Sequence, residues 1–273
     1  MKISHEVPVS LLEESKQFND YDYALVHLFE SLPEKDYYQF YRDSVKAGRH
    51  VLLDNSLFEL GEAFDSKKFA FWISRLEPTE YVIPDVWCDA KGTMDSASEW
   101  LNGPGLAVPK SCQTIGVVQG KTYEEIVDCY KFFASRADKV AFSFGNPYYQ
   151  EICPHPNKHM ALALGRIQLM SQLLNDKIIF VNKPHHLLGC ALPIEFFFYR
   201  DFKFSWIDTI DTSSPIVHGM IGTKYEPAGL LNKQEFKMAE MMDSVIDEGL
   251  FPILEHNINL FRSYVKGVNR PSK

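Results

Sequence analysis

Short apolar runs rich in β-branched residues alternate along the chain with longer stretches whose apolar positions recur at helical spacing. The short runs are KIS at 2–4, ALVHLF at 24–29, HVLLD at 50–54, EYVIPD at 80–85, TIGVVQG at 114–120, KVAFSF at 139–144, HHLLG at 185–189 and FSWIDTI at 204–210. Helical periodicity falls on residues 10–18, 33–48, 66–76, 122–136, 159–174, 193–202 and 232–249. Near-continuous apolar strands need cover on both faces, which a parallel sheet lined by helices provides. Eight strand–helix repeats in 273 residues predict an α/β chain folded as a single (β/α)8 (TIM) barrel domain over 1–273. Within it, residues 250–273 are expected to form a C-terminal helix and basic tail. KIIFV at 177–181 also has strand character and complicates the count.

The element boundaries carry their own chemistry. Asp65 or Ser66 is placed to cap the helix at 66–76, and Thr122 with Glu125 has capping-box spacing. Gly48 is placed to end a helix before the next strand.

Several apolar runs end in acid. HVLLD leads into Asp54 and Asn55, EYVIPD ends in Asp85, and FSWID brings an apolar run onto Asp208, with Asp211 three residues on. In a parallel barrel the C-terminal strand ends face the loops that build active sites. Asp54, Asn55, Asp85, Gln119, Gly120, Gly145, Gly189, Asp208 and Asp211 are therefore the candidate site. Carboxylates, an amide and aromatic residues suit a planar, hydrogen-bonding ligand, and a pair of acids can divide nucleophilic and proton-transfer work.

Bulk properties narrow the function. Lys and Arg number 28 against 36 Asp and Glu, a net charge of −8, so no strongly basic nucleic-acid-binding surface shows in the totals. The five cysteines, at 88, 112, 129, 153 and 190, include no C-x-x-C pair, which argues for a reducing compartment and against a disulfide framework or zinc knuckle. MKISHEVPVSLLEE lacks the basic-then-apolar order of a secretory signal, and no apolar run approaches bilayer length. A cytoplasmic protein with no membrane partner is expected, or one in the host cytoplasm if phage-encoded.

Four segments, in order, resemble the tRNA-guanine transglycosylase (queuine tRNA-ribosyltransferase) family. LLDNSLF is similar to its Asp followed four residues later by an aromatic, here Asp54 and Phe58. VIPDVW places Asp85 where that family reads the purine edge, and GVVQGKTYEEI resembles its G-[IV]-V-Q-G strand end, with Gln119 and Gly120. HHLLG resembles H-[YL]-L-[ML]-G, and the ungapped distance from that glycine to the family's nucleophile lands on Asp208. The resemblance spans about residues 50 to 210.

What it implies is base exchange at an N-glycosidic bond without a cofactor or metal. Asp208 would be the nucleophile, with Asp211 the alternative, and Asp54 would move protons to and from the base. Asp85 would read the purine amide face, with Asn55 among the substrate-binding residues. Gln119 and backbone N–H groups near Gly120, Gly145 and Gly189 would hold the base, and Phe58 would stack on it. The implied partners are a purine or 7-deazapurine base and a nucleotide, DNA or RNA donor. Either a homodimer or a partner subunit is compatible with the chain. The family's C-x-C-x-x-C…H zinc site and basic docking extension have no counterpart, and Val86 and Trp87 follow Asp85 in place of Glu-Cys. TIDTSSP is closer to the D-S-T-S segment of the DNA-modifying 7-deazaguanine branch, which resembles short phage-type members.

Each residue also has a plainer reading. Asp54 or Asp85 can cap a turn, Gln119 can bond loop backbone, and Phe58 can be core. A strand reaching residue 211 would send Asp208 and Asp211 to opposite faces, leaving one of them for catalysis. Competing functions are a metal-dependent hydrolase using His27, His185 and Asp208, a Schiff-base lyase using Lys183, and a non-catalytic protein binding a nucleobase or a basic partner.

Overall fold

The computed structural model describes residues 1–32, 36–230, 236 and 238–267. Its strands are β1 (Lys2–His5), β2 (Asp22–Leu25), β3 (Val51–Asp54), β4 (Glu80–Val82), β5 (Gln113–Val118), β6 (Lys139–Ser143), β7 (His185–Leu188) and β8 (Ile207–Thr212). They form one sheet in the order β1-β8-β7-β6-β5-β4-β3-β2, with helical segments between successive strands. This is the (β/α)8 barrel class that the alternation predicts. By its contacts the chain divides into two compact units, residues 21–143 and residues 1–20 with 144–273.

In the unit of residues 21–143, β2 to β6 pair in parallel with their neighbours, as Leu25 against Asp54 and Val118 against Phe142 illustrate. Every residue of β2, β3, β4 and β6 is buried, which explains the unbroken apolar runs. The charges that open these strands are paired. Glu80 accepts from Lys139 Nζ at 2.8 Å and bonds His50 Nε2 at 2.8 Å, and Asp22 takes a two-pronged bond from Arg49 at 2.8 and 2.6 Å. Gly116 lets a helix lie on β5, because a Cβ there would come within 2.0 Å of the Phe133 ring.

The helix Ser66–Leu76 has the predicted bounds, and Asp65 is the residue that caps it, accepting from Lys68 N–H at 2.9 Å. Thr122 caps Tyr123–Ala134, and the Glu125 carboxylate returns to Lys121 N–H at 2.7 Å. The helix Ala90–Asn102 was not anticipated. It buries Ala90, Thr93, Ala97 and Trp100, and small or polar residues at helical spacing give a weak apolar signal. The helix expected at 33–48 is observed as Tyr37–Lys46, residues 33–35 lying outside the described set.

In the unit of residues 1–20 with 144–273, β8 pairs in parallel with both β1 and β7. KIIFV forms no strand; the chain turns there after the helix Lys158–Asn175. The helix expected at 193–202 shrinks to Glu195–Phe198. Asp201 then accepts from Lys203 N–H at 3.0 Å and winds Phe202–Phe204 into a 3-10 turn. That turn delays β8, so the strand expected at 204–210 runs from 207 to 212. The helix expected at 232–249 is also corrected. Residues 231–235 and 237 lie outside the described set, Met238–Met241 and Glu248–Leu250 are 3-10 turns, and the long helix is Phe251–Lys266. Asp247 capping Gly249 N–H at 2.8 Å marks the break, and the basic tail beyond 267 is outside the described residues. Among the described residues no helix is long and apolar enough to cross a membrane.

Candidate functional site

Three strand ends in the unit of residues 21–143 bring together four of the predicted residues. Asp54 is the last residue of β3, Asp85 follows β4 by three positions, and Gln119 follows β5 directly. All are buried, Asn55 included. Asn55 Nδ2 donates to Asp85 Oδ1 at 2.8 Å and to the Ile83 carbonyl at 3.0 Å, while its Oδ1 accepts from Leu57 N–H at 3.0 Å. Gln119 Nε2 donates to Asp85 Oδ2 at 2.7 Å, and its Oε1 accepts from Cys88 N–H at 3.0 Å. Backbone partners thus fix the orientation of both amides, and each turns an N–H toward one Asp85 oxygen.

Burial raises the Asp85 carboxyl to about 6, against the opposing pull of Asn55 and Gln119. Asp54 is raised well above the usual aspartate value. Burial is the main cause and repulsion from Glu59 adds to it, while the Ser56 N–H, 2.6 Å from Oδ1, opposes it. Burial thus works against ionisation of both carboxyls. Two carboxyls tuned differently can bind and protonate a heterocycle.

Backbone geometry supports this cluster. Ser56 has φ +63° and Cys88 φ +55°, left-handed values uncommon outside glycine, and each directs its N–H to a site side chain. Gly120 has φ +151°, and a Cβ there would press within 3.0 Å of Ile126 at the start of the following helix. Phe58 is not core: it is 60% exposed, and its ring centroid lies 6.5 Å from that of Trp87, which is 38% exposed. His27 lies just past β2, where burial lowers its pKa.

In the other unit, β8 ends in a second acidic arrangement centred on Asp211. Gly189 N–H reaches Asp211 Oδ1 at 3.0 Å and Oδ2 at 3.1 Å, and His186 Nε2 lies 3.0 Å from Oδ1. His186 Nδ1 meets Thr209 Oγ1 at 2.9 Å. Gly189 has φ +61°, which turns its N–H back toward the carboxylate. Beneath that turn, Arg166 is fully buried, paired with Glu195 at 2.8 Å, and Nη1 donates to the Leu188 and Gly189 carbonyls at 3.2 and 3.1 Å. Gly145, at φ +87°, precedes Asn146, which caps Pro147–Ile152.

Asp208 does not occupy the strand end expected of it. It is the second residue of β8, at a register shift where His185 lies across from Ile207 and His186 from Thr209. The delayed start of β8 moves Asp208 to the N-terminal end and puts Asp211 at the C-terminal end, where barrels keep their chemistry. His185 packs edge-on to Trp206 with its Nδ1 2.8 Å from the Lys183 carbonyl, and burial lowers its pKa to about 3. Lys183 itself precedes β7, away from the C-terminal end that a Schiff-base site would use. Among the described residues, no group of three or more His, Cys, Asp or Glu is placed to hold a metal ion.

Sequence reasoning missed Arg166 and Glu195, although a lone charge within ALALGRIQLM, and another before FFFY, was a usable signal. Ser56 and Cys88 carried none, since their role depends on a backbone angle. No protein-family model matches the chain, and no curated protein matches it.

Proposed function

We propose that this chain is a base-exchanging transglycosylase acting on the N-glycosidic bond of a purine or 7-deazaguanine nucleotide or nucleic acid. The observation that carries the reading is the Asp85 carboxyl clamped between two amides, with a second buried carboxyl, Asp54, at the neighbouring strand end. A carboxylate locked in plane accepts two hydrogen bonds from the amide and amino edge of such a base. Gln119 spends its carbonyl on Cys88 and one amide hydrogen on Asp85, leaving a second hydrogen for a ligand carbonyl.

In the proposed reaction a carboxylate nucleophile attacks the anomeric carbon as the bond from that carbon to the base nitrogen breaks. Asp54 delivers its proton to the departing base. The incoming base then attacks the same carbon, expels that carboxylate and gives its proton to Asp54. The resemblance points to Asp208 as nucleophile with Asp211 the alternative; the reading prefers Asp211, which lies one residue before the end of β8 and holds its carboxylate on Gly189 N–H. Gly189 and His186 are then positioning groups, and no metal or cofactor enters the scheme.

The test is covalent capture followed by denaturing mass spectrometry, with guanine- or 7-deazaguanine-containing nucleosides and oligonucleotides as donors. Wild type and Asp208→Asn are expected to form a glycosyl adduct, and Asp211→Asn to form none while still binding free base. Adduct with Asp211→Asn but not Asp208→Asn returns the role to Asp208. No adduct and no base exchange with any donor refutes the reading.

A further inference from the structure

We propose that Thr209 is a positioning residue for Asp211: its hydroxyl locks His186 as the tautomer that carries its hydrogen on Nε2, and the locked imidazole leaves Oδ2 of Asp211 as the oxygen presented for attack. The part played in attack rests on the proposed function; the tautomer lock is a claim about the folded chain and stands apart from it.

β7 and β8 bring the three side chains together. Thr209 and Asp211 are two positions apart on β8 and so share a face. Between the strands the register shifts: His185 lies across from Ile207 but His186 lies across from Thr209, and Asp208 is passed over. A shift of that kind re-aims a side chain, and here it turns His186 onto the face of Thr209 and Asp211. The ring bridges the pair, with Nδ1 2.9 Å from Thr209 Oγ1 and Nε2 3.0 Å from Asp211 Oδ1. His186 and Thr209 are fully buried, and Asp211 is 6% exposed. Apolar side chains would fill such positions with no polar group to satisfy, so a linked polar trio between apolar strands points to chemistry rather than packing.

The partners decide where the hydrogens lie. An ionised carboxylate only accepts, so the Nε2 that faces it carries a hydrogen. A neutral imidazole then has a bare Nδ1, an acceptor, and the rotatable hydroxyl of Thr209 donates to it. In the opposite tautomer the lone pair of Nε2 would face a carboxylate oxygen, and the bond would be lost. His185, one residue earlier, is the contrast. Its Nδ1 lies 2.8 Å from the Lys183 carbonyl, which only accepts, so there Nδ1 carries the hydrogen. Adjacent histidines thus hold opposite tautomers, each set by what Nδ1 faces.

The lock also distinguishes the two oxygens of Asp211. Oδ1 accepts from His186 Nε2 and from Gly189 N–H, both at 3.0 Å. Oδ2 meets the same Gly189 N–H at 3.1 Å and, among the described residues, no other donor. Each accepted hydrogen occupies a lone pair, so Oδ2 is the freer nucleophile. In the capture step a lone pair of Oδ2 forms the bond to the anomeric carbon. The bond from that carbon to the base nitrogen breaks, and its electron pair leaves with the base, which Asp54 protonates as proposed above. His186 keeps its hydrogen throughout; it orients the carboxylate and transfers nothing.

The test is a spectrum of the histidine ring nitrogens in the full, isotopically labelled chain, read beside the covalent-capture assay. Long-range proton–nitrogen correlation separates a ring nitrogen that carries hydrogen from one that does not, and His186→Gln identifies the signals of His186. Wild type and Thr209→Ser are expected to show hydrogen on Nε2 alone, with His185 the reverse in the same spectrum. Thr209→Val keeps the shape of threonine without the hydroxyl, and its His186 ring is expected to show a mixture of states. Its capture should slow about 5- to 150-fold, the cost of leaving one buried acceptor unpaired, while free-base affinity is retained. Thr209→Ser should capture at close to the wild-type rate. Hydrogen on Nδ1, or on both nitrogens, of His186 in wild type overturns the lock, and that spectrum decides the matter even where Thr209→Val does not fold. A Thr209→Val ring in the wild-type state overturns Thr209 as its cause. A mixed ring with wild-type capture upholds the lock and overturns its part in attack. No adduct from wild type with any donor refutes the transglycosylase, and the spectra still decide the lock.

Discussion

Asp208 and Asp211 lie three positions apart, and the sequence offered Asp208 first, as the acid ending an apolar run, with Asp211 as the alternative. What separates them is where β8 begins, and that was decided upstream by Asp201 capping a 3-10 turn and by a register shift beside His186. Neither leaves a periodic trace, and the ungapped distance from Gly189 lands on Asp208, at the N-terminal end of β8. Asp54, Asp85 and Gln119 were legible because each stands where an apolar run stops. Gly189 offers a check at this scale. An alanine there must take φ +61°, at a cost of about 1–2 kcal/mol, or turn its N–H away from Asp211. The expected outcome for Gly189→Ala is a urea midpoint lowered accordingly and slower covalent capture with base affinity retained. Unchanged capture would remove Gly189 from the positioning of Asp211.

At the scale of elements, one buried ion pair joins three of them. Arg166 on Lys158–Asn175 meets Glu195 on Glu195–Phe198, and the same guanidinium holds the last carbonyl of β7 and that of Gly189 just after it. Tyr199 adds a hydrogen bond to Glu195 at 2.7 Å. Such a pair stabilises little relative to an apolar substitute, yet removing one partner strands a charge at a cost of about 3–5 kcal/mol. Arg166→Met is therefore expected to lower stability by about that amount, and Arg166→Met with Glu195→Leu to recover most of it in a double-mutant cycle. Capture by the double variant should still be slow, since the carbonyls of Leu188 and Gly189 lose their donor in both cases. Wild-type capture in the recovered double variant would make the pair purely structural. The helices nearby were legible in proportion to their apolar periodicity: Lys158–Asn175 was found within a residue at each end, while Ala90–Asn102, built on Ala, Thr and Trp contacts, was not.

For the whole molecule, the alternation of eight apolar strands with helices was enough to give the barrel class, because burial on both faces writes itself into every strand. The paired charges at the strand starts were not legible, since Glu80, Lys139 and His50 meet only once the strands are in register. Their consequence is a pH dependence with several opposed parts. Burial works to raise Glu80, but the His50 hydrogen bond and the Lys139 charge overrule it and lower the carboxyl from 4.5 to about 2. That stability is present above pH 4.5 and is lost as the pH falls toward 2, about 3 kcal/mol in all. Burial lowers His5 from 6.5 to about 4 and His185 to about 3, so stability also falls as pH drops below 6.5 and these neutral rings are charged only on unfolding. Asp85 acts the other way: raised from 3.8 to about 6, it stabilises the fold while protonated and loses that contribution as pH rises through this window. Asp54 is shifted in the same direction. Between pH 4 and 6, then, two histidines favour folding at higher pH and two aspartates favour it at lower pH, and the wild-type urea midpoint should change little. Asp85→Asn removes one opposing part, so its midpoint should climb with pH across that interval, and Glu80→Gln should leave the interval alone while flattening the fall below pH 4.5. Parallel profiles for wild type and Asp85→Asn would mean that Asp85 is an ordinary solvated carboxylate, and the proton balance proposed for the site would fail with it.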